Sequence, residues 1–210
     1  MEFAVLNNRS AVIIRRSAAG LLCALAGLAG VVNPAAAQCD IYRLDVPDFD
    51  QRRGPAGNIP GLPNNGSMHC VPTCYADWIG YINNHGYPNL LGGVQDWQVG
   101  NYTPVTYLID ELAGLCLTNP SKGTNMVLGA AGLQSYLDSH YSGLFIAGTV
   151  TASGIYAPTT TDIYFAMADG QLATLCSSRW TLTPPSNGHP ERYVKTKGGH
   201  AQVITRVYSA

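Results

Sequence analysis

Met68-His69-Cys70-Val71-Pro72-Thr73-Cys74-Tyr75-Ala76-Asp77-Trp78-Ile79-Gly80-Tyr81-Ile82 reads as a cysteine set at the start of a buried helix. Pro72 suits a first-turn position, where its missing N–H would be an orphan anyway. Cys74, Trp78, Ile79 and Ile82 follow at helical spacing and form an apolar stripe. Asp77 is expected away from that stripe, on the solvent side. Asn64-Asn65-Gly66-Ser67 ahead of the helix is turn material. A thiol at such a place meets free N–H groups and the positive end of the helix dipole, which favour an anion. The same placement lowers a cysteine pKa and supplies thiolate near neutral pH.

Working outward, the first 37 residues read as an export leader rather than part of the fold. Arg15-Arg16 is a charged n-region, Leu21 to Val32 an apolar h-region too short to span a bilayer, and Ala35-Ala36-Ala37 a small-residue cleavage site. Gln38 is then the mature N-terminus. The arginine pair followed by Ser17 also permits a twin-arginine route. Gln38 before Cys39 does not suit a lipoprotein anchor. The expected localisation is secreted or periplasmic, with no membrane association once the leader is removed. Removing residues 1–37 from 210 leaves 173, a length that suits one domain over 38–210. The leader holds three Arg and one Glu, so the net charge moves from −1 to −3. Such mild acidity leaves no electrostatic footprint for nucleic acid. Five cysteines remain: Cys39, Cys70, Cys74, Cys116 and Cys176. An exported chain can hold disulfides, and an odd number leaves one thiol over. Cys74 is expected to pair with Cys116 or Cys176. Cys70 and Cys74 with His69 could supply part of a zinc site, but no second ligand pair stands at zinc-like spacing, and neither metal nor cofactor is expected.

Along the mature chain, Asp40 to Asp50 reads as extended, and Arg52 to Ser67, with three Pro and four Gly, as a loop. Helices are expected from about Pro72 to Asn84, from Pro104 through Leu115, over Asn125 to His140, and over Asp162 to Asp169. Strands are expected over Leu144 to Val150, Leu172 to Trp180, Arg192 to Lys195 and Ala201 to Tyr208. Helices first and strands later predict an α+β domain, its helical part packed on a C-terminal antiparallel sheet. Trp78, Trp97 and Trp180 are expected in the core or a cleft wall. His85, His140 and His189, at turns or helix ends, are expected in solvent.

Downstream of Cys70, the informative segment is Lys197-Gly198-Gly199-His200-Ala201-Gln202-Val203-Ile204, where two glycines lead into a histidine on a strand. His200 lies 130 residues after Cys70, about the separation of nucleophile and base in papain-like enzymes. Upstream is Val46-Pro47-Asp48-Phe49-Asp50-Gln51, and a glutamine amide can donate to a developing oxyanion beside the backbone N–H of the nucleophile.

Gln51 after a Val-Pro strand, the Cys70-Val71-Pro72 helix start and the Gly199-His200 strand together resemble the bacteriocin-leader-processing family of papain-like cysteine peptidases. The likeness is closer to its exported, non-transporter relatives. Gly123-Thr124, Gly132-Leu133-Gln134-Ser135-Tyr136-Leu137 and the helix-Gly-strand pattern of Ala166 to Leu175 fit as well. The resemblance spans roughly Leu44 to Tyr208. It implies a papain-like fold, a peptide or protein substrate, cleavage through an acyl-enzyme and no metal. Carried over by position, Cys70 is the nucleophile, His200 the general base and Gln51 the second oxyanion donor.

Departures are visible. Val71 stands where the family has glycine, and His69 where it has an acidic or amide residue. No Asp or Asn occurs between His200 and Ala210, where the family places the residue that orients the imidazole. Cys74, in Cys74-Tyr75-Ala76, is a rival nucleophile, but one turn into the helix its neighbouring N–H groups are already used. His69 is read as positional, with a second role open to it as a cation near the thiolate. The expected activity is that of a monomeric exported cysteine peptidase. The alternatives are a catalytically impaired papain-like domain that binds peptides, and a thiol acyltransferase.

Overall fold

The computed structural model describes residues 10–16, 40–58, 60–90, 102–151, 160–183 and 192–208. Its central element is α1, Cys70–Asn84, which begins at the cysteine itself rather than at Pro72. Twelve of its fifteen residues are buried, among them Tyr75, Trp78 and Ile79. A helix buried nearly all round belongs inside a domain. The contacts say why this one can be. Gly80 lets Pro47 and Phe49 come close, since a Cβ there would sit 2.8 Å from the Pro47 ring. Trp78 donates its indole N–H to Thr174 Oγ1 (3.0 Å), so the polar atom of a fully buried side chain is satisfied.

Two helices pack beside α1. In α2, Tyr102–Leu115, the buried stripe is Val105, Leu108, Ile109 and Leu112. Helix α3, Met126–Tyr141, is capped by the Asn125 side chain, whose oxygen accepts from the N–H groups of Val127 (3.0 Å) and Leu128 (3.4 Å). Gly132 of α3 meets the Leu115–Cys116 backbone, and a Cβ at that position would lie 2.6 Å from it. A fourth helix, α4, covers Thr160–Ala168.

The strands are β1 (Ser10–Arg16), β2 (Asp40–Tyr42), β3 (Phe145–Thr151), β4 (Leu172–Thr183), β5 (Arg192–Ile204) and β6 (Arg206–Tyr208). They form a four-stranded antiparallel sheet in the order β3-β1-β4-β5 and a two-stranded one, β2-β6. Helix α1 packs on β5 and α3 on β3. The architecture is thus mixed helix and strand with antiparallel pairing, as expected of an α+β chain. Among the described residues no helix is long and apolar enough to cross a membrane.

Three differences from the sequence reading stand out. The expected strand over Ala201–Tyr208 is split: β5 runs on from Arg192 through Ile204, and Arg206–Tyr208 turns away to pair with β2. Ser10–Arg16, inside the expected leader, is a strand between β3 and β4, with Ser10 opposite both Thr151 and Cys176. Its Val12-Ile13-Ile14 run is β-branched, which suits a pleated surface. The apolar run from Leu21 and the site at Ala35–Ala37 lie outside the described residues, as do Cys39, Trp97 and His189. Finally, Cys70, Cys74, Cys116 and Cys176 are all free thiols. Cys116 donates to the Gly129 carbonyl (3.4 Å) between α2 and α3, and the Cys176 sulfur lies against Met126 (3.1 Å), so the expected pairing of Cys74 is absent.

Candidate active site

Cys70, Gln51 and His200 come from the start of α1, the loop after Phe49 and strand β5, and all three line one cavity of about 540 Å³. Cys70 is half-buried at the first position of α1. A helix cannot supply acceptors for its first N–H groups. Pro72 brings none, and Thr73 N–H is taken by the His69 carbonyl (3.0 Å), which also accepts from Thr73 Oγ1 (2.8 Å). The Cys70 N–H therefore stands beside its own thiol as a donor at the positive end of the dipole.

Gln51 is held at that helix start by a tight turn. Asn64, Asn65 and Gly66 take positive φ in succession (50°, 52° and 70°), a conformation that Asn and Gly adopt most readily. The Gly66 carbonyl then accepts from His69 N–H (3.0 Å) and from Gln51 Nε2 (3.3 Å). One amide hydrogen of Gln51 is so engaged, and the second is left for the cavity that the side chain lines.

The loop itself is fixed by Arg53, a residue the sequence reading passed over as loop. It is only 5% exposed. Its guanidinium donates to Asp50 O (2.7 Å), Tyr102 O (3.1 Å) and Thr106 Oγ1 (3.1 Å) and stacks over the Tyr102 ring at 4.8 Å. Tyr102 closes the clamp by donating to Gly54 O (3.0 Å). Nothing in the periodicity of a Gly- and Pro-rich loop marks such a residue. The adjacent arginine pair, Arg52-Arg53, was the available sign.

His200 sits on β5 opposite Ser177 of β4. Just before it the ladder is irregular: Ser178 faces Gly199, but Trp180 faces Lys195, so Thr196, Lys197 and Gly198 oppose Arg179 alone. Bulges of this sort re-aim the residues beside them and are frequent next to active sites. The imidazole is exposed. Among the described residues it shares no hydrogen bond with Cys70 and none with an orienting side chain.

The face of α1 that carries Cys70 continues through Thr73, Cys74 and Asp77, all lining the cavity. Cys74 is 5% exposed, and burial, with the Asp77 carboxyl adding, pushes its thiol well up, so it is the poorer nucleophile. Cys176 is pushed up to about 12, chiefly by burial. Asp77 corrects the sequence reading: it is buried, at 4% exposure, and accepts the Phe49 N–H (2.8 Å). Burial raises its carboxyl well above the usual range. The Asp48 charge adds to that, while the Phe49 N–H and the Arg53 charge oppose it. His69 is also buried, at 3%, with Nδ1 unpartnered, and burial lowers its pKa. A neutral imidazole cannot serve as the cation near the thiolate.

Comparison with protein-family models, with curated proteins and with solved structures found no match to this chain.

Proposed function

We propose that the chain is a papain-like cysteine peptidase, with Cys70 as nucleophile, His200 as general base and Gln51 as oxyanion donor. The observation that carries this reading is the meeting of the three residues on one cavity, across 19 residues of chain from Gln51 to Cys70 and 130 from Cys70 to His200. His200 takes the Cys70 proton. The sulfur adds to the scissile carbonyl carbon, and the carbonyl π pair moves to oxygen, where the Cys70 N–H and the free Gln51 N–H donate. The C–N bond then breaks as His200 returns the proton to the leaving amine. Water, deprotonated by His200, releases the acid from the thioester. The expected leader would place this activity outside the cytosol, and its removal after Ala37 would take β1 from between β3 and β4 in the larger sheet.

A second reading is a peptide-binding module of the same fold. Its support is that no described side chain is hydrogen-bonded to the His200 imidazole, leaving the base without the partner that fixes tautomer and direction. A thiol acyltransferase would use the same thioester with an amine acceptor in place of water. Iodoacetamide labelling of the folded protein across pH 5–9, with peptide mapping, tests the nucleophile. Rapid labelling confined to Cys70 below pH 7, together with turnover of peptide substrates, is expected. An unreactive Cys70 removes the peptidase reading, and labelling without turnover leaves the binding module in its place.

A further inference from the structure

The cavity is electrically lopsided. Asp48, Asp50 and Asp77 line it, against one guanidinium, that of Arg52. Asp48 and Asp50 are exposed at its edge, and Asp77 is buried in its wall. The Asp50 carboxylate is partly used by the Arg52 N–H (2.7 Å). Asp77 makes one hydrogen bond, through Oδ1 to Phe49 N–H, and its other oxygen has no partner among the described residues. A carboxyl so thoroughly buried costs stability unless something compensates it. Tying down the Phe49 backbone would need only an acceptor, which asparagine provides as well. The residues present do not gather into a metal site: among the described residues, no group of three or more His, Cys, Asp and Glu side chains could hold an ion. The buried Arg53 charge offsets that of Asp77 in part. An organic cation is the further complement to the three carboxylates, and in a cavity that also holds Cys70 it would come from the substrate.

We propose that Asp77, with Asp48 and Asp50 at the rim, forms an acidic subsite that selects peptides carrying a lysine or arginine side chain close to the scissile bond. The proposal rests on the peptidase reading for the words "scissile bond", but the subsite is a binding property and can be measured without cleavage. The cation enters past the exposed carboxylates and ends against the free Asp77 oxygen. Exclusion of neutral side chains follows from the same chemistry, since they leave that oxygen unpaired.

The test uses the full chain with Cys70→Ala, so that nothing is turned over, and two fluorescein-labelled pentapeptides that differ only by lysine or norleucine at the central position. Fluorescence anisotropy should show the lysine peptide binding about tenfold or more tightly, with the preference lost in Cys70→Ala/Asp77→Asn. Asparagine keeps the acceptor for Phe49 N–H, so the melting temperature should not fall. Asp48→Asn, at an exposed position, should reduce the preference about threefold and serves as the second variant if Asp77→Asn does not fold. Equal affinity for the two peptides, binding of neither, or a preference that survives removal of these carboxylates overturns the subsite. Selective binding of the lysine peptide by the Cys70→Ala chain, with no cleavage of it by the unmodified chain, upholds the subsite while refuting the peptidase.

Discussion

Gly66→Ala should damage this protein far more than an ordinary loop substitution, because Gly66 is buried. Gly66 has φ of +70°, and a Cβ built on it falls 1.7 Å from the Gln51 carbonyl oxygen and 2.8 Å from its carbon. Left-handed backbone costs a non-glycine residue roughly 1–2 kcal/mol. Restoring an ordinary contact requires the two backbones to part by about 1.5 Å, which also breaks the Gln51 Nε2 to Gly66 bond, worth about 1 kcal/mol. The expected destabilisation is about 3 kcal/mol, a fall in melting temperature of roughly 6–12 °C for a domain of this size. Gly57→Ala is the matched control, because Gly57 has φ of +60° but nothing within 4 Å of its Cβ. Only the conformational cost applies there, about 1 kcal/mol. Thermal denaturation of both variants separates the two effects. In the proposed peptidase, a displacement of Gln51 on this scale should also lower kcat about 10²-fold. A Gly66→Ala melting temperature within about 2 °C of Gly57→Ala would refute the reasoning, since the contact would then have relaxed at no cost.

Cys70→Ala should abolish peptidase activity and leave the melting temperature nearly unchanged, because the thiol is half-buried beside a cavity; a large stability loss in calorimetry would mark it as a packing residue instead. Gln51→Ala should lower kcat by about 10²–10³ with little change in KM, and an unchanged kcat removes it from the oxyanion site. Asp77 predicts a pH dependence of stability. Its folded pKa lies above the unfolded value of about 3.9, so the native state holds the proton longer, and stability is full below that value and falls as pH rises towards the folded pKa. Each pH unit in that window costs about 1.4 kcal/mol. Asp77→Asn should therefore be more stable than the parent at pH 7, with the difference closing towards pH 4; a gap that does not vary with pH in urea denaturation contradicts this.

Much of the fold was legible because it was written as periodicity and punctuation. The helix expected over Asn125 to His140 is α3, Met126–Tyr141, with Asn125 one residue ahead of it as the cap. The helix after Asn64-Asn65-Gly66-Ser67 was visible in the spacing of Trp78, Ile79 and Ile82. Asp77 was misplaced because the helix is buried nearly all round, and a single apolar stripe says nothing of what covers the opposite face. Here that face is the cavity wall, with the 47–51 segment crossing it. Arg53 was missed for a related reason. Its partners are the carbonyls of Asp50 and Tyr102 and the hydroxyl of Thr106, and no pattern local to the loop encodes bonds made 49 and 53 residues away. Cys70, Gln51 and His200 could be named from motif and order, but the shared cavity is a tertiary fact. Val12-Ile13-Ile14 carries two signals at once: it lies beside an arginine pair and an apolar run, as a leader does, and its β-branched residues also favour the strand Ser10–Arg16.

The position of β1 governs when the sheet can be completed. Ser10 pairs with Thr151 and Cys176, and Asp40 of the smaller sheet pairs with Tyr208. Loops of this length close slowly, because their entropy must be lost before any of the pairing is gained. On a ribosome, the first strand to emerge waits for well over a hundred later residues before it has either neighbour. Until then its backbone donors and acceptors remain open to other chains. Assembly of the larger sheet is in this sense a late event in synthesis. A chaperone or export factor that keeps Ser10–Arg16 extended acts on the strand with the longest wait.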